Sequence, residues 1–258
     1  MCAPLKLLVF DISGSMAHFR DIGSTSTQLT YMLPPRTTII GLVAGILGLE
    51  RDSYYEQFSD KNCRIAVSAR TPLRKWVQSV NNLDTDTITN TTLRGMKTHP
   101  FPSTMELILP DPPNTRLAYR VYFTHREQEV TDEVERRIKN RRFKYPPSLG
   151  PANFLATLTF VRELEVVDEE VQGDKHAEVF TAVRNRLIEH ILTLKAGQRI
   201  YSVEGVQADF SAERKVTRIE NYTFECSKHS PNVPLAVSLK RTLGKAAFKD
   251  GSKHGIFL

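Results

Sequence analysis

Two short segments near the start of the sequence carry groups that could bind a phosphate. In GSMAHFR, Gly14 would let a ligand approach the backbone closely, and Arg20 adds a cation. In PPRTT, Pro35 suits the first turn of a helix. The open N–H groups of that helix start, the Arg36 guanidinium and the Thr37 hydroxyl would together form a phosphate seat. Because every helix start carries such N–H groups, a purely structural role stays open.

A second candidate for binding chemistry is the stretch from Arg70 to Ser103, which is poor in apolar residues and separates two strand-like runs. A long polar stretch of this kind predicts an inserted hairpin or arm. It contains the only tryptophan, Trp76, and cations beside an aromatic ring are typical of single-strand nucleic-acid binding. A solvated hairpin whose tryptophan packs on the core fits the pattern equally well. The cations in and beside this arm are Arg64, Arg70, Arg74, Lys75, Arg94 and Lys97.

The sequence offers less support for catalysis or metal binding. A metal-independent ribonuclease needs a base to take the proton of a 2′-hydroxyl, and histidine suits that task. The spacing of the seven histidines singles out no catalytic pair. His18, in the GSMAHFR segment, is the best single candidate for the base. A role in contacting RNA or in the fold explains His18 better. Asp84 and Asp86 lack the glycine and distal glutamate of a calcium loop. We therefore predict no catalytic residue, no metal site and no cofactor.

The elements that must position these residues follow from the apolar pattern. Strands are predicted over 5–12, 63–69, 105–109 and 117–124, and helices from Arg36 onward and over 131–142. This order predicts an α+β fold whose N-terminal domain, 1–144, is ferredoxin-like or RRM-like, with an insertion at about 70–104. The alternating second half predicts a smaller, mostly antiparallel β domain over 145–258. Gly41, Gly45 and Gly48 form one helix stripe, which predicts close approach of a sheet or another backbone.

Composition places the chain among ordinary globular proteins. It has 258 residues, of which 40% are hydrophobic, and a formal net charge of +6. The longest apolar run, 39–49, is shorter than the roughly 20 residues that a membrane span needs. The first residues carry no small-residue cleavage site, so we expect a cytoplasmic protein without membrane contact. Three widely separated cysteines predict buried thiols and no disulfide framework.

Longer segments carry a resemblance to a known family. The stretch SGSMAHFR together with TQLTYMLPPRTTIIGLVAGILGLERDSYYEQF resembles the N-terminal signature of the CRISPR-associated Cas-five family, the subunit that caps the guide-RNA 5′ end in type I Cascade complexes. A second segment, YPPSLGPANFLA at 145–156, is similar to the proline-leucine-glycine segment of that family. Together the two matches cover about a quarter of the chain. The details of AHFR and GILGLERDSYYE look most like the type I-B branch.

The resemblance implies a specific fold and role. The first half would be an RRM-like domain of the repeat-associated mysterious protein (RAMP) class, and the basic arm would be its β-hairpin thumb. The protein would grip the 5′ handle of a CRISPR RNA and help target-DNA interference. Its implied partners are CRISPR RNA, Cas-seven-type backbone subunits, a Cas-eight-type large subunit and, through the complex, target DNA. The residues assigned to the RNA are Gly14, His18, Phe19, Arg20, Arg36, Thr37, Arg64, Arg70, Arg74, Lys75, Trp76, Arg94 and Lys97.

Two alternatives stay open beside this RNA-binding subunit. One family branch, in type I-C systems, is itself the guide-processing ribonuclease and uses a Tyr, Lys and His set. The Lys-His neighbours here begin at Lys175, Lys228 and Lys253, and none follows the arm as in that branch. The resemblance thus implies a non-catalytic member, with cutting left to a separate Cas-six enzyme. The runner-up is a metal-independent endoribonuclease, and the third reading is an RRM-like protein–protein adaptor.

Overall fold

The computed structural model describes residues 5–24, 27–83, 100–166, 176–192, 194–195, 197–227, 234–239, 247–250 and 253–258. Within these ranges the chain forms two α-helices, α1 (Arg36–Leu47) and α2 (Gln128–Asn140), a 3-10 turn at Asn185–Leu187, and sixteen strands. The strands in chain order are β1 (Leu5–Gly14), β2 (Phe19–Arg20), β3 (Thr30–Tyr31), β4 (Cys63–Ala69), β5 (Leu73–Leu83), β6 (Pro100–Pro110), β7 (Leu117–His125), β8 (Thr157–Val166), β9 (His176–Val179), β10 (Val183–Arg184), β11 (Ile188–Ile191), β12 (Ile200–Phe210), β13 (Val216–Glu225), β14 (Leu235–Leu239), β15 (Ala247–Asp250) and β16 (Lys253–Ile256).

Four strands form the first sheet, in the order β4-β7-β1-β8, and all of its pairs are antiparallel. The prediction of an α+β fold with mostly antiparallel sheets is confirmed. The edge strand β8 lies beyond residue 144, where we predicted a domain boundary. The first sheet thus takes its fourth strand from the other side of that boundary.

Both faces of the first sheet bury apolar side chains. Leu8 and Phe10 of β1 belong to the core shared with α1 and α2. Leu7 and Val9 face the other way and pack with Phe248 of β15. A strand covered on both faces needs apolar residues at successive positions, which is why β1 reads as a continuous apolar run.

A long hairpin is inserted between β4 and β7. Its strands β5 and β6 pair over their full length, from Leu73 opposite Pro110 to Leu83 opposite Pro100. The hairpin occupies the predicted arm but runs past residue 104, and the residues between its strands, with Arg94 and Lys97, lie outside the described residues. Its base is fixed by two backbone hydrogen bonds between Ala17 and Ile108, of 2.8 and 3.0 Å.

The second half adds two further sheets. β12 and β13 form a long hairpin with β10 beside β13, and five strands associate in the order β11-β14-β9-β16-β15. In the five-stranded sheet only β16 and β9 are parallel. Strand β12 covers the start of α1, where the Thr37 hydroxyl donates to the Gln207 carbonyl at 3.3 Å. The end of the described chain lies against the first sheet, because the Leu258 N–H donates to the Ile65 carbonyl at 2.7 Å.

The glycine stripe of α1 meets a backbone and not the sheet. The Tyr145 N–H donates to the Gly45 carbonyl at 3.2 Å, so the chain after α2 passes directly over the helix. A Cβ on Gly45 would find its nearest atom, the Tyr145 Cβ, only at 4.0 Å. Gly48 ends the helix in a left-handed conformation, with φ of 79°. Neither described helix is long and apolar enough to cross a membrane.

Candidate nucleic-acid interface

The residues after β1 are held in place by the Leu149-Gly150 segment. The His18 N–H donates to the Leu149 carbonyl at 3.0 Å. Gly150 has a φ of 105°, and a Cβ there would lie 1.9 Å from the His18 carbonyl oxygen, so only glycine allows this approach. A Cβ on Gly14 would lie 2.5 Å from the Leu149 Cδ1. Gly14 therefore makes room for Leu149, and the prediction that it makes room for a ligand is wrong.

The side chains of His18 and Phe19 point into the protein. His18 is 5% exposed, and its Nδ1 lies 2.8 Å from the Glu106 carbonyl oxygen. Burial lowers the pKa of His18 below its usual value. The Phe19 ring is also buried, edge-on against Tyr119 at 5.8 Å between centroids. The expectation that both side chains contact RNA is wrong for this conformation, because neither reaches the surface. Arg20 is exposed and keeps its predicted role available.

Arg36 is a structural anchor. Its Nη2 donates to the carbonyls of Phe58 at 2.7 Å and Cys63 at 3.0 Å, and its Nη1 donates to the Ala208 carbonyl at 3.2 Å. Its Nε lies 3.1 Å from the Asp60 carboxylate. The side chain is fully buried, with 0% exposure. The predicted phosphate seat at the start of α1 is wrong, because β12 covers it and protein carbonyls occupy the guanidinium.

Thr37 also serves the fold. Its hydroxyl holds the Gln207 carbonyl of β12, so the hydroxyl that we assigned to a phosphate already has a protein partner.

The base of the β5–β6 hairpin presents a cation and an aromatic ring to solvent. Trp76 is 48% exposed, which excludes the alternative that its ring is buried in the core. The Arg74 guanidinium carbon lies 5.4 Å from the Trp76 ring centroid, within the range of a cation–π contact. On the neighbouring position, the Lys75 Nζ lies 2.9 Å from the Glu106 carboxylate. The hairpin base therefore places Arg74, Lys75 and the exposed Trp76 close together, and RNA binding by them stays a prediction.

A cleft of about 660 Å³ lies beside this hairpin base and is called the hairpin-base cleft below. Its lining includes Arg74 and Lys75 from β5, Tyr31 from β3, and Arg199 and Tyr201 at the start of β12. The cleft thus joins the first half of the chain to the second. Three cations and two aromatic rings face the same volume.

The walls of the cleft are fixed by hydrogen bonding and stacking. The Tyr31 hydroxyl lies 2.8 Å from the Gly205 carbonyl and 3.0 Å from the Asp21 carboxylate. Burial, followed by the hydrogen bond to Asp21, raises the pKa of Tyr31. The Tyr201 ring stacks on Phe224 at 5.7 Å between centroids, with 18° between the planes. Both aromatic groups are therefore held before any ligand arrives.

The cleft also contains the acidic residues Asp21, Asp111 and Glu204, so its charges of both signs balance. Such a surface suits a nucleotide better than a bare phosphate. Polar groups can bind the edge of an unstacked base, aromatic and guanidinium planes can stack on it, and cations can hold its phosphate.

Two predicted RNA contacts lie elsewhere. The Arg64 guanidinium carbon sits 5.9 Å from the Phe257 ring centroid, on the sheet face that packs with β15. Arg70 is half-buried, and burial followed by the nearby Arg120 lowers its pKa. Neither side chain lines the hairpin-base cleft. The cations that form one basic arm in the sequence are therefore divided between two surfaces.

Sequence reasoning missed Tyr31, Arg199 and Tyr201. Tyr31 lies within the TQLTYML segment quoted above, but Arg199 and Tyr201 stand more than 120 positions after Arg74 and have no local signal of ligand binding. Only the packing of β12 beside the hairpin base brings them to the cleft.

The possible metal ligands and the cysteines were searched across the described residues. The described residues contain no group of three His, Cys, Asp or Glu side chains that could hold a metal ion. Cys63 and Cys226 are buried free thiols, as predicted, and burial raises the pKa of Cys226 to about 11.

Comparison with known proteins identifies the family. A family model described as CRISPR-associated protein (Cas_Cas5) matches residues 7–220. No curated protein matches the chain. Among solved structures, a CRISPR protein from Archaeoglobus fulgidus is similar, with 14% identity over 98% of this chain and 99% of that chain and a TM-score of 0.56.

Two further structures are similar. A chain of the type III-B Cmr-beta complex bound to cognate target RNA and AMPPnP has 10% identity, covers 97% of this chain and 99% of its own, and has a TM-score of 0.50. A chain of a CRISPR RNA-guided surveillance complex has 15% identity, covers 90% of each chain and has a TM-score of 0.48. At such identities the likeness to the Archaeoglobus fulgidus protein and to the Cmr-beta chain supports the fold alone. The family model, which spans most of the sequence, shows that this chain belongs to the CRISPR-associated Cas_Cas5 family.

Proposed function

We propose that this Cas-five family member is a CRISPR RNA-binding subunit of a type I surveillance complex, where it caps the 5′ handle of the guide RNA. The observation that carries the proposal is the hairpin-base cleft. There Arg74 and Lys75 of β5 face Arg199 and Tyr201 across a volume large enough for a nucleotide, beside the exposed Trp76. Family membership supports the same role.

The chemistry of the cleft fits one end of a single RNA strand. Splayed bases stack on aromatic or guanidinium planes, and Tyr201 and the Arg74–Trp76 pair offer such planes. Lys75 and Arg199 would hold the flanking phosphates. The exposed Arg20, on β2 beside β3, would contact the strand as it leaves the cleft.

The fold supports the finer assignments of the family. The chain order β1-α1-β4-β7-α2-β8, with spatial order β4-β7-β1-β8, matches the β-α-β-β-α-β order that we propose for an RRM-like half. The β5–β6 hairpin would then be the thumb. Arg94 and Lys97, which lie outside the described residues, stay assigned to the RNA. We assign the chain to a type I-B complex, with Cas-seven-type backbone subunits, a Cas-eight-type large subunit and target DNA as partners.

In this proposal the protein holds RNA and leaves cutting to a separate enzyme. The sequence candidate for a general base, His18, is buried and has its Nδ1 at the Glu106 carbonyl, so it is poorly placed to reach a 2′-hydroxyl. The alternative role, a protein–protein adaptor, differs from the proposed role because an adaptor needs no RNA. Purification of the chain with its partner subunits, followed by sequencing of the bound RNA, separates the two, because only the proposed role predicts enrichment of one handle sequence.

The cleft itself is tested by Arg74→Ala/Lys75→Ala/Arg199→Ala. Each lost phosphate contact reduces the salt slope of single-strand binding by about 0.7, so the loss of Lys75 and Arg199 should flatten the slope by about 1.4. Arg136→Ala/Arg142→Ala, which removes exposed cations of the α2 region, is the control and should bind handle RNA as wild type does. An unchanged slope in the cleft variant would refute the placement of the RNA.

A further inference from the structure

The face of the first sheet that lies away from the two helices has a covered apolar half and a partly exposed polar half. Toward one end, Leu7 and Val9 of β1 are covered by Phe248. Toward the other end the same side of β1 continues with Asp11 and Ser13, which are partly exposed and polar. The second half is called the arginine face below. It is formed by arginines from three segments of the chain: Arg70 directly after β4, Arg116 and Arg120 directly before and within β7, and Arg162 of β8. Arg162 stands opposite Val9, at the boundary between the two halves.

Strand register brings these groups together. Asp11 stands opposite Arg120 of β7 and opposite Thr159 of β8, while Ser13 stands opposite Thr157. Side chains at directly paired positions share a face and lie about 5 Å apart. The row across the sheet therefore alternates guanidinium, carboxylate and hydroxyl groups.

Hydrogen bonds hold two of the arginines in fixed orientations. Both carboxylate oxygens of Asp11 accept from Arg120, from Nε at 2.8 Å and from Nη2 at 2.9 Å. The Arg116 Nη2 donates to the Thr157 hydroxyl at 3.2 Å. Because each guanidinium has five N–H donors, these bonds leave further donors for a ligand.

The arginine face has more positive than negative charge. Asp11 pairs with Arg120 and Asp250 pairs with Arg162, while Arg70 and Arg116 have no carboxylate of their own within the described ion pairs. Burial and the neighbouring Arg120 lower the pKa of Arg70, as expected where guanidinium groups crowd together. An anion on this face would relieve that repulsion.

The chemistry of the face selects among anionic partners. Protein partners usually anchor on apolar or aromatic side chains at the centre of an interface. In the described part of the chain, none of the exposed large apolar side chains belongs to β1, β4, β7 or β8. Guanidinium forks beside serine and threonine hydroxyls match phosphate oxygens, and the absence of exposed stacking groups from these strands disfavours base recognition.

We propose that the arginine face binds the phosphodiester backbone of a nucleic acid strand, without base recognition and independently of the hairpin-base cleft. This second site goes beyond the capping of the 5′ handle. It gives the subunit a sequence-independent contact on another surface.

The test uses the full chain with the cleft variant Arg74→Ala/Lys75→Ala/Arg199→Ala as background and a 20-nucleotide oligothymidylate as probe. Into this background we place Arg116→Gln/Arg162→Gln, which removes two exposed forks and leaves the Asp11–Arg120 pair intact. The matched control is Arg136→Gln/Arg142→Gln, with the same change of charge in the α2 region. The face variant should bind about tenfold more weakly than the background, and its salt slope should fall by about 1.4. The control should match the background.

Several outcomes would overturn the proposal. One is equal binding by the face variant and its control, and another is the absence of oligothymidylate binding in the background protein. A third is displacement of the probe by polyglutamate of matched charge as readily as by an unlabelled oligonucleotide, because that result would assign the face to an acidic protein. The proposed function is tested separately by handle-RNA binding in the cleft variant, so either idea can fail alone.

Discussion

Arg36→Ala offers the sharpest test of the reinterpretation of the PPRTT segment. The substitution would leave the Phe58, Cys63 and Ala208 carbonyls without their donor. It would also remove one of the three arginines that pair with Asp60. A buried carbonyl left without its donor costs about 1–3 kcal/mol, so the loss of three donors amounts to at least about 3–5 kcal/mol. This is a large part of the about 5–15 kcal/mol that stabilises a typical protein. In a chain of this size each kcal/mol lowers the melting temperature by about 2–4 °C. Arg36→Ala should therefore lower it by about 6–20 °C.

The measurement is thermal unfolding by circular dichroism, with two companion variants. Arg36→Met fills much of the same volume but restores no donor, so it should melt nearly as low as Arg36→Ala. Arg142→Ala removes an exposed arginine and should melt as wild type does. If Arg36→Ala melted like wild type and yet lost guide RNA, the buried-anchor reasoning would be refuted and a phosphate seat at α1 restored.

Three other predictions follow from the packing, from the titratable groups and from the proposed role. Gly150→Ala should sharply reduce folded yield, because its Cβ would lie 1.9 Å from the His18 carbonyl oxygen, whereas Gly197→Ala, also at positive φ but with nothing within 4 Å, should fold; equal yields would contradict this. Burial raises the pKa of Glu135, but its hydrogen bonds, including that from Lys6, lower it to about 2 overall, below the ordinary value of 4.5. Its contribution to stability is therefore present above about pH 4.5 and lost as the pH falls toward 2, so unfolding midpoints of Glu135→Gln should vary less with pH in that window than those of wild type. The purified protein should not cut repeat RNA in EDTA, as checked by denaturing electrophoresis; cleavage at one site that His18→Ala abolishes would contradict this.

The sequence predicted the first half of the fold well because its signals are local. The strand at Cys63–Ala69 has its predicted bounds, and β1, β7 and α2 differ from prediction by a few residues at their ends. Apolar periodicity is a property of neighbouring residues, so it indicates these elements directly. The place of β8 in the first sheet is a matter of tertiary pairing, and no pattern within residues 157–166 indicates it.

The site was harder to predict because burial depends on distant parts of the chain. Arg36 and His18 have residue types that suit ligand binding, yet β12 covers one and the Leu149-Gly150 segment covers the other. For Trp76 the sequence left an exposed ring and a core-packed ring equally open. The ring is exposed because a hairpin buries little of its own surface. Arg199 joins them only through the tertiary packing of β12.

The same physical rule explains where this protein can bind a ligand. A fully buried arginine such as Arg36, whose guanidinium donates to backbone carbonyls and pairs with Asp60 and Asp209, has no donor within reach of a ligand. An arginine held mainly by side chains, as Arg120 is by Asp11 and Tyr122 and Arg74 is by the Trp76 ring, is fixed in orientation without being enclosed by backbone carbonyls. Residue type identifies cations, but the number of partners that each finds in the fold decides which of them can hold a nucleic acid. On that ground we assign the hairpin-base cleft and the arginine face to ligands, and the start of α1 to the scaffold.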